Sequence, residues 1–138
     1  MGSVDSGGDR PTYTDVSEWV AGYFVRLVGD AVGYRPGEQV YWCREWWRHP
    51  GAVVRLDALW RAWEDLRLSG GAGISVWFLD HADPHVHVLL SASGPFGLCS
   101  IEGGHRETSP LPIAELRSAD RGVFDTGDAT RYGAPPPR

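Results

Sequence analysis

Two cysteines and five histidines set the chemical choices in this sequence. Cys43-x5-His49 puts a thiol and an imidazole within about two helical turns of each other, and both are good ligands for a borderline-soft metal. Cys99 with His85 completes a set of two thiolates and two imidazoles, the composition that suits tetrahedral zinc, with His81 as the alternate imidazole. His87 and His105 belong to the same pool of donors. The spacing matches no standard zinc finger, so a second reading stands beside the first. In it, Cys43 and Cys99 are small buried apolar residues and the histidines cap helices or donate to carbonyls.

The run His81-Ala82-Asp83-Pro84-His85-Val86-His87 offers different chemistry. On an extended chain, His81, Asp83, His85 and His87 would share one face, as in a hydrolase or nuclease whose metal activates a water. That is the alternative function, with His81, Asp83 and His85 as the working residues. On helices the same side chains diverge. A thiol nucleophile paired as Cys43 with His49, or as Cys99 with His105, would need a third, orienting group that the sequence does not display. There is no nucleophile elbow, P-loop or dinucleotide fingerprint, because the glycines cluster in Gly70-Gly71-Ala72-Gly73 and Gly103-Gly104 outside the strand-to-helix context those motifs need. The balance leans away from an enzyme.

The elements that would carry these residues are mainly helical. Val16, Trp19, Val20, Tyr23, Phe24, Leu27 and Val28 recur at three-and-four spacing behind an Asp15/Glu18 capping box. Gly29 to Gly37 makes a loop. If Val40 to His49 is helical, Trp42, Trp46 and His49 fall on one face. Pro50 suits the first turn of the next helix, whose inward set is Val53, Leu56, Leu59, Trp60, Trp63 and Leu66, with Asp57/Arg61 and Arg61/Asp65 pairs outside. Two short helices follow, Ile74 to His81 and Pro84 to Leu90, the second capped by Asp83. Phe96 and Cys99 return to the core after the turn at Ser93-Gly94-Pro95, and a short helix is expected at Pro112 to Leu116. The fold class is therefore mainly α: a small helical bundle with an aromatic-rich core and disordered tails, divided as 1–12 tail, 13–105 domain and 106–138 largely disordered tail.

Composition limits the partners. At 138 residues the chain has room for one domain, and its net charge of −5 argues against a grip on phosphate backbones. All thirteen basic residues are Arg and there is no Lys, which removes Schiff-base chemistry and suggests a GC-rich, actinobacterial genome. Seven tryptophans are enough to stack bases, but the basic strip Arg44, Arg48 and Arg55 is loose. Most of these rings belong in a core, with one or two at an interface to a protein partner. No segment reaches the ~20 apolar residues of a membrane span and no leader is evident, so a cytoplasmic location is expected.

Trp42-Cys43-x2-Trp46-Trp47-x-His49, then Arg55-Leu56-x-Ala58-Leu59-Trp60-Arg61-Ala62-Trp63-Glu64-x-Leu66-Arg67, Trp77, His81-x-Asp83-Pro84-His85 and Gly94-Pro95-Phe96-x2-Cys99 resemble an actinobacterial domain-of-unknown-function family, number 4913. The resemblance covers most of Val16 to Cys99. It implies no activity. The family's presence on chromosomes, plasmids and integrative conjugative elements implies an accessory role in plasmid transfer, maintenance or regulation, and the shared motif implies a common structural role for Cys43, His49, His81, His85 and Cys99. Gly51 departs from the acidic residue the family carries after the His-Pro pair, and His87 is unusual, which weakens an acid-base mechanism there. The expected function is a non-catalytic, tryptophan-rich interaction module, with or without a zinc staple.

Overall fold

Asp15 starts the first helical stretch by accepting the Glu18 N–H (3.0 Å), while the Glu18 carboxylate turns back to the Thr14 N–H (3.0 Å) and hydroxyl. The stretch runs without a break from α1 (Val16–Trp19) through a π-helical turn (Val20–Phe24) into α2 (Val25–Ala31). In the computed structural model, residues 11–124 are described. The π turn revises the simple three-and-four periodicity. With the Val25 N–H reaching back to the Val20 carbonyl, residues five apart come to the same side, and Trp19 and Phe24 are both fully buried.

α3 (Pro50–Leu66) is the central element, with Pro50 in its first turn and Ala52, Leu56, Leu59, Trp60 and Trp63 buried along one stripe. Outside, Arg61 pairs with Asp57 (2.8 Å). A third stretch joins α4 (Gly73–Val76), a second π turn (Trp77–Ala82) and α5 (Asp83–Leu89). The two separate helices expected here are one, and Asp83 is no cap. Its backbone is helical (φ −58°, ψ −50°) and its N–H bonds the Phe78 carbonyl five residues back. The widened turn lets the chain continue through Pro84, which has no N–H to offer.

The segment before α3 is not the helix considered from its sequence. Only Trp46–Arg48 forms a single 3-10 turn, and Cys43 precedes it in irregular backbone. The apolar spacing there reflects packing. Trp42 meets Phe96 edge-on at 5.0 Å, Trp46 is buried, and Trp47 is 59% exposed. There is no strand among the described residues; Ser100 and Gly104 form an isolated antiparallel bridge.

The core is aromatic. Trp19 lies against Tyr23, Phe24, Trp63 and Trp77, the last edge-on at 6.1 Å. Trp77 donates its buried indole N–H to the Leu59 carbonyl (2.9 Å), fixing the third stretch to α3. The fold is thus mainly helical around clustered tryptophans. Among the described residues no helix is long and apolar enough to cross a membrane.

The chain divides into two compact units, Met1–Thr108 and Ser109–Arg138. In the second, residues 109–117 form no helix, so the short one expected at Pro112 to Leu116 is absent. A five-residue segment can close at most one or two helical hydrogen bonds, too few to offset the cost of nucleation without a packed face. A 3-10 stretch (Ser118–Phe124) follows, and Arg117 pairs with Asp120 (2.9 Å). Of the disordered tails expected at 1–12 and 106–138, residues 1–10 and 125–138 lie outside the described residues.

Candidate metal centre

Four ligand atoms, one each from Cys43, His49, Cys99 and His105, lie within 4.8 Å of one another. Cys43 stands in the irregular segment ahead of the 3-10 turn. His49 is the residue before α3, extended at φ −110° and ψ 100°, and its carbonyl receives the first amides of that helix, those of Ala52 and Val53. The start of a long helix therefore fixes its position.

Cys99 and His105 are placed by a reverse turn. The Ser100 and Gly104 backbones bond to each other in both directions (3.3 and 2.9 Å), so the residues just outside the bridge stand opposite one another. Gly104 has φ +83°, a conformation that L side chains rarely adopt, and the Ser100 hydroxyl accepts the Gly103 N–H (2.7 Å). This loop needs its two glycines to bring thiol and imidazole side by side.

The contacts cross between the two Cys-x5-His pairs. Cys43 Sγ is 3.3 Å from His105 Nδ1, and Cys99 Sγ is 3.4 Å from His49 Nε2. The two imidazoles pack with ring centres 4.7 Å apart. Phe96 closes one side, edge-on to His49 at 5.1 Å. Cys43, His49 and Cys99 are buried, and only 5% of the His105 side chain is exposed.

Electrostatics follow from that burial. Desolvation, with the Cys99 thiol close by, pushes Cys43 up to about 11, although a backbone hydrogen bond from Glu45 pulls the other way. Burial, then the neighbouring His105, holds His49 below the usual imidazole value, so it is neutral near pH 7 and free to act as a ligand. The Arg106 backbone N–H points at Cys99 Sγ (3.3 Å). On the outer side, His105 Nε2 meets Glu107 Oε1 (3.0 Å), which also receives Arg48 (2.6 Å). A buried two-cysteine, two-histidine cluster of this kind could hold a metal ion.

Of the ligand set expected from sequence, Cys43, His49 and Cys99 come together, but His85 does not join them; His105 takes its place. His85 lies on α5 with Nδ1 3.0 Å from an Arg55 guanidinium nitrogen. His81, the alternate, is also outside the group. The hydrolase set is not brought together either, because Asp83 lies two residues from both His81 and His85 on a helical backbone and faces away from them, while the two histidines, four residues apart, share a side. No second group of three or more His, Cys, Asp or Glu ligands occurs among the described residues. His105 carried a signal that helical patterning hides: Cys99-x5-His105 repeats the spacing of Cys43-x5-His49.

A family model described as Domain of unknown function (DUF4913) matches residues 13–117, a span that contains all four cluster residues. No curated protein and no solved structure matches the chain.

Proposed function

The chain belongs to the DUF4913 family, and from that premise we propose that it is a non-catalytic helical module, stapled by one zinc ion and acting as an accessory protein through protein partners. The observation that carries the zinc reading is the closed cluster Cys43, His49, Cys99 and His105. A tetrahedral zinc with ordinary Zn–S and Zn–N bonds separates sulfur from nitrogen ligands by about 3.6 Å. The two sulfur-to-nitrogen contacts, 3.3 and 3.4 Å, need only a slight expansion, and all four ligand atoms already lie within 4.8 Å of one another. Four protein ligands in a buried setting leave no position for substrate or water, which is the signature of a structural rather than a catalytic site. When bound, zinc would supply the positive charge that lets buried thiols ionise and would cross-link the segments bearing them.

The accessory role, in plasmid or integrative-element biology, extends what the motif resemblance implies. The partner reading draws support from Trp47, exposed beside the buried Trp46 and between Arg44 and Arg48, since Trp and Arg are enriched at interface hot spots.

Elemental analysis of the native protein tests the zinc reading. One zinc per chain is expected, lost in Cys43→Ser, Cys99→Ser and His105→Ala and retained in His85→Ala. A native protein without stoichiometric metal would overturn it, as would loss of zinc in His85→Ala together with retention in His105→Ala.

A further inference from the structure

Arg55 is half-buried on α3 and has no carboxylate partner among the described residues. Its close polar neighbour is His85 Nδ1, 3.0 Å from NH1. A guanidinium has only donors, so His85 Nδ1 must be the acceptor and its proton sits on Nε2. Burial, then the Arg55 charge, holds His85 below the usual imidazole value, in keeping with a neutral ring. The pair therefore presents N–H groups and one positive charge, and no acceptor.

It opens into a groove of about 520 Å3 lined by Pro50, Gly51, Val54, Arg55, Ala58 and His85. Apart from the cationic pair the lining is apolar or small, and Val54 is 69% exposed. At Gly51 an added Cβ would meet nothing within 4 Å, so the groove is open at that end. An uncompensated guanidinium beside an apolar wall is complementary to a carboxylate next to an aliphatic side chain, because the planar fork of Arg matches a carboxylate bidentately and the wall takes the hydrocarbon.

We propose that this groove between α3 and α5 docks an acidic residue flanked by apolar residues on a protein partner, with Arg55 gripping the carboxylate, His85 orienting the guanidinium and Val54 covering the neighbouring side chain. The inference rests on the module having protein partners and is independent of the zinc. It names the chemistry such a partner must carry.

The full chain is titrated with the capped tripeptide acetyl-Leu-Glu-Leu-amide, with its Gln counterpart, and with inorganic phosphate, following Arg55 Nε–H and the His85 ring by NMR. Saturable shifts from the Glu peptide are expected, with at least tenfold weaker binding of the Gln peptide. Arg55→Gln should weaken Glu-peptide binding at least tenfold and Val54→Ala about threefold. Near-UV circular dichroism of the tryptophans confirms that each variant is folded, and His85→Gln, expected to weaken binding about threefold, serves if Arg55→Gln is not. Equal binding of the Glu and Gln peptides, no shift at all, or phosphate producing the shifts in place of peptide would each overturn the proposal. Zinc content is read separately, so failure of the docking site and failure of the staple are distinguishable.

Discussion

At the scale of single residues, one oxygen of Glu107 receives both Arg48 (2.6 Å) and His105 Nε2 (3.0 Å). The hydrogen bond with His105, helped by the Arg48 charge, outweighs desolvation and holds this carboxyl below its usual range, so it is ionised at neutral pH. An ionised carboxylate only accepts, so Nε2 carries the proton and Nδ1 is left bare toward Cys43. Glu107 thus selects the tautomer that can bind a metal. Glu107→Gln is expected to lower zinc affinity roughly tenfold, the low end of what such supporting residues contribute, because the side chain is 69% exposed. Competition with a chromogenic chelator measures it, and an unchanged affinity would show that the carboxylate orients nothing. The sequence made Cys43, His49 and Cys99 legible because each sits among tryptophans or phenylalanine. His105 lies past the apolar density, across a reverse turn whose backbone pairing leaves no helical period. His85 was the nearer choice in a denser segment, but its helix turns it toward Arg55.

Among the elements, α3 holds the chain's N-terminal approach through one side chain. Glu64 accepts from the backbone N–H groups of Thr12 (2.9 Å) and Tyr13 (3.0 Å), from the Trp60 indole (3.0 Å) and from Arg67 (2.8 Å). Burial alone would raise its pKa, yet the backbone donors, Arg67 and Trp60 together bring it below the usual value. Because the folded pKa is depressed, the stabilisation is fully present above the unfolded value and is lost as pH falls through the lower, folded one. Glu64→Ala should cost about 2 kcal/mol or more at pH 7. That difference should shrink as pH drops below about 4.3, the ordinary Glu value. Urea unfolding at pH 7 and pH 3.5 checks both halves, and a pH-independent difference would locate the effect in packing instead. This contact could not be read from sequence, since Thr12 and Glu64 are joined only by the fold. The helices themselves were legible from their apolar spacing and from Asp15 and Pro50. What periodicity missed was the pair of π turns, because five-residue steps such as Trp19 to Phe24 and Trp77 to Ala82 look like noise on a 3.6-residue wheel.

For the whole folded unit, the proposed zinc cluster and the aromatic core hold different things. The three helical stretches bury Trp19, Phe24, Leu56, Leu59, Trp77 and Leu89 against one another and are tied by the Trp77 to Leu59 hydrogen bond, none of which involves a cluster residue. The segments that carry the ligands, 40–49 and 96–107, contain one 3-10 turn and an isolated bridge. Besides the packing of Trp42, Trp46 and Phe96, they are tied by side-chain contacts that join positions 62 and 50 residues apart in sequence. Cross-links over spans of that length chiefly constrain the chain's alternatives, so removing one releases the segments it ties. Chelating the metal should therefore leave most of the helical circular dichroism and the near-UV signal of the tryptophan core intact. Amide exchange should rise steeply across 40–49 and 96–107, and readdition of zinc should restore protection. A zinc finger behaves otherwise, because it has no core beyond its metal and unfolds completely. Global loss of helix on chelation would mean that the cluster supports the core; unchanged exchange in both segments would mean that it staples nothing.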